Sequence, residues 1–175
     1  MQRIMIVGQP GSGKSTLARQ IGERTGLPVV HIDLIHWQDG WIERTREEKT
    51  RLCLEVEARD EWVFEGGHSA TWPNRLSRAD MLVWLDLPFA FRLWRVIARN
   101  IRNRGKSRPD LPEGCPERLD MLPEFLRYCW TSRHRTHRAM CNLAATAPAT
   151  CQVVHLQSKG EALHFLLSLP PAHKI

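Results

Sequence analysis

Arg3-Ile-Met-Ile-Val7-Gly8-Gln-Pro-Gly-Ser-Gly13-Lys14-Ser15 sets a short β-branched run, a glycine-rich turn and a lysine–serine pair in direct succession. The apolar run has the composition of a strand covered on both faces. Beyond the turn, Leu17, Ala18 and Ile21 recur at helical spacing, so a helix is expected from about Lys14. Glycine backbone can curl until successive N–H groups point inward, which builds an anion-binding concavity. The helix start adds its partial positive charge. Gly8, Pro10, Gly11, Ser12, Gly13, Lys14, Ser15 and Thr16 are therefore the expected wall of a triphosphate pocket. Lys14 reaches the β- and γ-phosphates as a mobile charge, and the Ser15 hydroxyl holds Mg²⁺.

Working outward, residues 28–32, 62–65, 81–86 and 153–156 read as four more strands. Thr45-Arg-Glu-Glu48 and Ser158-Lys-Gly-Glu161 are capping-box patterns that open helices over about 46–59 and 159–169. Pro88 suits the first turn of another helix. Strands alternating with helices predict an α/β fold with a parallel sheet and helices on both faces. Residues 33–44 read as a loop. The stretch 104–123, rich in Pro and Gly, reads as a mobile flap.

Ligands of parallel α/β sheets bind beyond the carboxyl ends of the strands. Three carboxylates are expected there. Asp33 ends the second strand and can hold an acceptor hydroxyl or take its proton. Glu65, before Gly66 and Gly67, can bind substrate where the backbone approaches closely. Asp86 can hold Mg²⁺ together with Ser15. Arg92, Arg95, Arg99 and Arg102 fall on one helix face, with Phe91, Trp94, Ala98 and Ile101 on an adjoining face that can pack. Arg104, Lys106 and Arg108 carry the charge into the flap, with Arg108 assigned to the substrate side. Such groups neutralise charge on a transferring phosphoryl. Trp62, Trp84 and Trp94 are expected in the core. Trp37, Trp41 and Trp72 are placed in loops, where they wall a substrate pocket or simply pack. His134 and His137 sit three apart, but the arginines around them oppose a metal pair.

Composition narrows the class. The 175 residues carry 25 Lys+Arg against 19 Asp+Glu, a net charge of +6, with 42% hydrophobic residues. That balance is globular and suits an anionic partner. No apolar run approaches the roughly 20 residues that span a bilayer, and the opening run is too short for a signal-peptide core. Cys53, Cys115, Cys129, Cys141 and Cys151 are scattered without a Cys-x-x-Cys pair, so buried reduced thiols and a cytoplasmic location are expected. The Asn-Lys-x-Asp base-reading motif of regulatory GTPases is absent. Asp86 is followed by Leu87 and Pro88, not by the Glu of motor ATPases. What remains is a compact kinase that passes the γ-phosphoryl of ATP to a small molecule. A nucleic-acid-associated ATP-binding regulator, suggested by the basic stretches, and a simple nucleoside triphosphate hydrolase stand as alternatives.

The phosphate loop, His31-Ile-Asp-Leu-Ile-His-Trp37, Gly40-Trp41, Trp62-Val-Phe-Glu-Gly-Gly-His-Ser69 and Leu85-Asp-Leu-Pro88 resemble adenylate-kinase-like small kinases. Together with Arg108-Pro-Asp-Leu-Pro-Glu-Gly-Cys-Pro-Glu-Arg118 they resemble the subgroup named for the DNA topology modulation protein FlaR. The resemblance implies one three-layer P-loop domain over residues 1–175, nucleoside/shikimate-kinase-like, with a five-stranded parallel sheet. It implies an acceptor-binding region at about 33–61 and a lid at about 102–123. Arg95 and Arg99 follow Asp86-Leu-Pro88 at the spacing of ATP-contacting arginines, and residues 157–160, Lys159 included, would border the adenine. The acceptor-side signature Asp-Gly-Phe-Pro-Arg of true adenylate kinases is replaced by Glu65-Gly-Gly-His68. Lys14, Asp33 and Arg99 are the expected catalytic groups. Asp33, Trp37, Glu65, Gly66, Gly67 and Arg108 are the expected acceptor contacts, and Ser15 and Asp86 the expected metal ligands.

Overall fold

A computed structural model describes residues 1–172. In chain order the elements are β1 (Arg3–Gly8), α1 (Lys14–Thr25), β2 (Val29–His31), α2 (Ile32–His36), β3 (Trp37–Gln38), β4 (Ile42–Glu43), α3 (Arg46–Glu57), β5 (Trp62–Glu65) and α4 (Trp72–Arg78). Then follow β6 (Met81–Leu85), α5 (Phe89–Arg102), α6 (Leu122–Ala145), β7 (Gln152–Leu156) and α7 (Lys159–Ser168). Five strands form one parallel sheet in the order β2-β5-β1-β6-β7. β1 is central, with Ile4 beside Val63 on one flank and Met81 on the other.

Alternation along the strands divides the core. Ile4, Ile6 and Val83 face α1 and α7, where they meet Leu17, Ile21 and Phe165. Met5, Val7 and Phe64 face the opposite way, toward Cys53, Trp72, Leu76, Met140 and Leu143 of α3, α4 and α6. Each such fully buried side chain contributes about 1.5–3 kcal/mol. Both layers meet at β1, so the loop that leaves its carboxyl end stands on the buried centre of the sheet.

A fully buried ion pair ties α3 to α4. Arg75 Nε donates to Glu57 Oε1 at 2.9 Å, and Arg75 Nη1 donates to the Gly66 carbonyl at 3.1 Å. The guanidinium lies 3.6 Å from the centre of the Phe64 ring.

Several local expectations are corrected. Residues 33–44 are not a plain loop: they form α2, a 3-10 turn at Asp39–Trp41 and the antiparallel pair β3–β4. The second strand ends at His31, and Asp33 lies in the first turn of α2 because Ile32 and Ile35 turn inward at helical spacing. The 104–123 flap is packed, not loose, since Asp110, Leu111, Cys115 and Glu117 are buried in it. Trp72 belongs to α4 and is buried. Cys141 is only half-buried, while all five cysteines are free thiols.

Helix α5 reverses the expected facing. Arg92 is buried, whereas Trp94 is 61% exposed and Ile101 is 62% exposed. Carbonyl oxygens of neighbouring turns draw the arginines inward: Arg92 donates to the Leu87 and Pro10 carbonyls, and Arg95 to the Ser12 carbonyl. Trp94 is thus no core residue.

Candidate active site

The turn between β1 and α1 delivers helix amides to a cleft at the carboxyl edge of the sheet. Gly13 is the N-cap of α1 at φ 101°, ψ 17°, and no side chain caps the helix there. The first amides of α1 are therefore free for an anion. The left-handed backbone favours glycine there, and the position a Cβ would take lies 2.8 Å from Arg95 Nη1, so the guanidinium rests directly against the turn. Ser12 Oγ is buried without a partner among the described residues, a polar atom suited to a ligand oxygen. Gly8 and Pro10 shape the near side of the turn, with Pro10 held through its carbonyl by Arg92.

Ser15 Oγ donates to Glu65 Oε1 at 2.9 Å, and the same oxygen is 2.9 Å from His31 Nδ1. Glu65 is buried at the end of β5, next to β1. Asp86 stands elsewhere. Its Oδ2 lies 3.1 Å from His137 Nε2 and 3.2 Å from His155 Nε2, and His155 stacks on Trp84. The structure thus pairs Ser15 with Glu65 and not with Asp86. Strand order alone does not distinguish them, because β5 and β6 both flank β1. A serine hydroxyl beside a carboxylate is a pair of hard oxygen donors that fits Mg²⁺.

Asp33 faces this cleft from α2. Its carboxyl is held above the usual aspartate range, first by burial and then by the Glu65 carboxylate, against the opposing pull of Lys14 and Arg108. Glu65, Lys14 and Arg108 thus each lie within electrostatic reach of Asp33. Solvent still reaches 39% of the Asp33 side chain, so a substrate can reach it too. Arg108 Nη2 is 3.9 Å from Asp33 Oδ2, while Arg108 Nη1 donates to Asp110 Oδ2 at 2.7 Å. Arg108 Nε is 2.9 Å from Glu117 Oε1 but outside hydrogen-bond geometry. Arg99 is 3.4 Å from the same Glu117 oxygen. Burial, followed by the Arg108 charge, lowers the Arg99 pKa. Arg99, Arg108 and Asp33 therefore meet where the 104–121 segment closes over the cleft.

That segment is tied to the turn between β3 and β4. Trp41 Nε1 donates to the Pro116 carbonyl at 3.0 Å, and Gly40 N donates to the Gly114 carbonyl at 3.0 Å. Trp37 packs edge-on against Trp41, with ring centres 5.3 Å apart. Gly66 has φ 103°, and a Cβ there would lie 2.0 Å from Ile32 Cγ2, so β5 can leave the sheet beside α2 only as glycine. Gly67 lies over the Trp72 ring. Lys159, at the start of α7, sits 5.0 Å from the Phe91 ring centre, across from Arg95 at 5.8 Å. Asp86 contacts His137 and His155 and, among the described residues, makes no hydrogen bond to Ser15. Missed in the sequence were the His31–Glu65 contact and the acid residues Asp110 and Glu117. Nothing in the sequence sets Asp110 and Glu117 apart from Glu113 and Asp120 of the same segment.

The family described as "ATPase family associated with various cellular activities (AAA)" matches residues 4–61. The chain is 31% identical over 133 residues to a cytidylate kinase of Pyrobaculum aerophilum, an alignment covering 67% of this chain and 69% of that one. It is 30% identical over 142 residues to a shikimate kinase of Vibrio cholerae, covering 70% and 76%. Against the uncharacterized protein YqaC of Bacillus subtilis it is 28% identical and spans 61% of that relative's length. A solved shikimate kinase from Acinetobacter baumannii, in complex with shikimate, superposes with a TM-score of 0.57 at 19% identity, covering 95% of this chain and 89% of that one. At that identity the likeness speaks for the fold.

Proposed function

The chain belongs to the P-loop small-molecule kinases that include the cytidylate and shikimate kinases, and on that premise we propose that it transfers the γ-phosphoryl group of ATP to a hydroxyl of a small molecule in the cytoplasm. One observation carries this reading: Asp33, with its raised carboxyl, shares one cleft with Lys14 and the uncapped start of α1. A group poised to take a proton thus faces a group built to hold phosphate.

The division of labour follows from charge and reach. The α1 amides and Lys14 bind the phosphate tail and fix the γ-phosphorus. Ser15 and Glu65 would hold Mg²⁺, which when bound neutralises phosphate charge. Arg95, fastened to the phosphate turn, and Arg99, under the lid, offset negative charge on the transferring oxygens. Asp33 accepts the hydroxyl proton as the oxygen bonds to phosphorus, and ADP leaves. The lid latch on Trp41 keeps water from competing. Trp37, Gly66, Gly67 and Arg108 border the acceptor, and Lys159 borders the base. Within the family, the Trp-containing loop and the Gly114-Cys-Pro-Glu117 segment support a place in the FlaR-type subgroup.

Replacing Lys14 with alanine leaves the fold intact by circular dichroism and lowers acceptor-dependent ADP release by about 10²–10³-fold. Unchanged turnover in Lys14→Ala would falsify the proposal.

A further inference from the structure

Resting on that kinase reading, we propose that the acceptor is a small hydroxylated anion, whose anionic group docks on Lys49, His36 and His68 while its hydroxyl meets Asp33. Four segments converge on this place: α2 brings His36, β4 brings Glu43, α3 brings Lys49, and the turn after β5 brings His68. Lys49 is buried, yet among the described residues its one carboxylate partner is Glu43, at 2.5 Å, and the Glu43 side chain is 53% exposed. His36 Nε2 lies 3.2 Å from the same Glu43 oxygen. His68 Nε2 lies 2.8 Å from Thr50 Oγ1. A buried ammonium served by one solvent-swept carboxylate, with two imidazoles beside it, is a ready place for an anion.

Two other cations of the cleft are already held by carboxylates. Arg108 faces Asp33, Asp110 and Glu117, and Arg99 faces Glu117. An incoming anionic group displaces the exposed Glu43 from Lys49 more readily than it displaces the buried Asp110 and Glu117 from Arg108. Geometry then fixes the class. Asp33 and His36 lie three residues apart on α2, a spacing that puts side chains on one helix face about 5–6 Å apart. A hydroxy acid or sugar acid spans that distance. A nucleoside monophosphate that reacts through its phosphate would put its anion at Asp33 itself, where a proton acceptor is superfluous and a carboxylate repels. The transfer balances as alcohol plus ATP giving phosphate ester plus ADP: the acceptor oxygen–phosphorus bond forms, the bridging bond to the β-phosphate breaks, and the proton passes to Asp33.

Both histidines are held below the usual imidazole range, chiefly by burial and next by Lys49. Glu43 acts the other way on His36. Arg75 and Arg46 add to the lowering at His68, and Glu57 opposes it. A bound anion offsets the burial cost and the Lys49 repulsion, so binding draws protons onto the pair and strengthens as pH falls from 8 to 6.

Calorimetry with glycerate, tartrate and gluconate, against glycerol and glucitol as neutral counterparts and CMP as the phosphate acceptor, decides the matter. At least one hydroxy acid is expected to bind without nucleotide, more tightly at pH 6, about tenfold more weakly in Lys49→Gln and more tightly in Glu43→Gln. Its product carries the new phosphate on a carbon hydroxyl by phosphorus NMR. Glu43 is largely exposed, so the Glu43→Gln variant serves even where Lys49→Gln fails to fold. Equal binding of the neutral counterparts, silence from all three acids, or phosphorylation of CMP on its phosphate overturns the acceptor assignment. ATP titrated in the same instrument separates the two readings: heat with ATP but none with the acids removes only this inference, whereas no heat with ATP removes the kinase reading beneath it.

Discussion

Asp33 carries two opposed consequences of one perturbed carboxyl. In its proposed role of proton acceptor it must be ionised, so turnover rises with pH through a limb placed above the ordinary aspartate range. Asp33→Asn abolishes that limb and lowers kcat by about 10²–10⁴-fold, as a pH–rate profile will display. Stability moves the other way. A carboxyl whose folded pKa lies above its unfolded value favours the fold at low pH, and that contribution is lost as pH rises through the folded value. Asp33→Asn therefore raises Tm at pH 7, and the gain shrinks as the pH falls through the folded value toward the unfolded one. Thermal melts at pH 7 and pH 4 measure it. The thiols offer a further check at this scale. Burial pushes Cys53 up to about 11, and it raises Cys129 and Cys151 as well. Brief alkylation at pH 8 should mark the half-buried Cys141 well ahead of these three by mass spectrometry.

Between elements, the Glu57–Arg75 pair is the contact whose loss costs most. Arg75→Met strands a buried carboxylate that otherwise keeps only Asn74 Nδ2, at 2.7 Å. Breaking a pair of this kind costs about 3–5 kcal/mol, which urea unfolding will register as a lowered midpoint. The Gly66 carbonyl loses its donor too, so the acceptor turn loosens. The strands were open to sequence reading because β-branched runs between turn residues have few other fates. Helix α4 was not, since Trp72-Pro73 starts it without a capping box. α5 was found but misfaced. Sequence patterns take arginine as outward and tryptophan as inward, and nothing in them records that the carbonyls of Leu87, Pro10 and Ser12 wait on the inner side. Ser15 was matched with Asp86 for a similar reason. Which neighbouring strand end a hydroxyl faces is settled by sheet twist and side-chain direction, not by order along the chain.

Across the whole molecule, the cleft is closed by contacts between segments distant in sequence. Arg108 joins the 104–121 segment to Asp33, and Trp41 joins the β3–β4 hairpin to Pro116. Trp41→Phe keeps most of the packing and removes the hydrogen bond. Acceptor-free ATP hydrolysis should rise relative to acceptor phosphorylation in this variant, because water enters more often. Parallel assays of ADP and phosphate ester give the ratio, and an unaltered ratio would mean the latch does not govern water entry.

Trp41 is also the one non-glycine residue with positive φ among the described residues, at 62°. Bulky side chains pay for that conformation in backbone strain. Its indole is fixed at one end by Pro116 and on its flank by Trp37. Once the lid lifts, both the tether and the reason for the strained turn disappear together, and the ring swings into a wetter setting. The protein thus carries its own optical gauge of closure: with the other tryptophans as background, the difference in emission between wild type and Trp41→Phe follows opening in real time, without any attached dye.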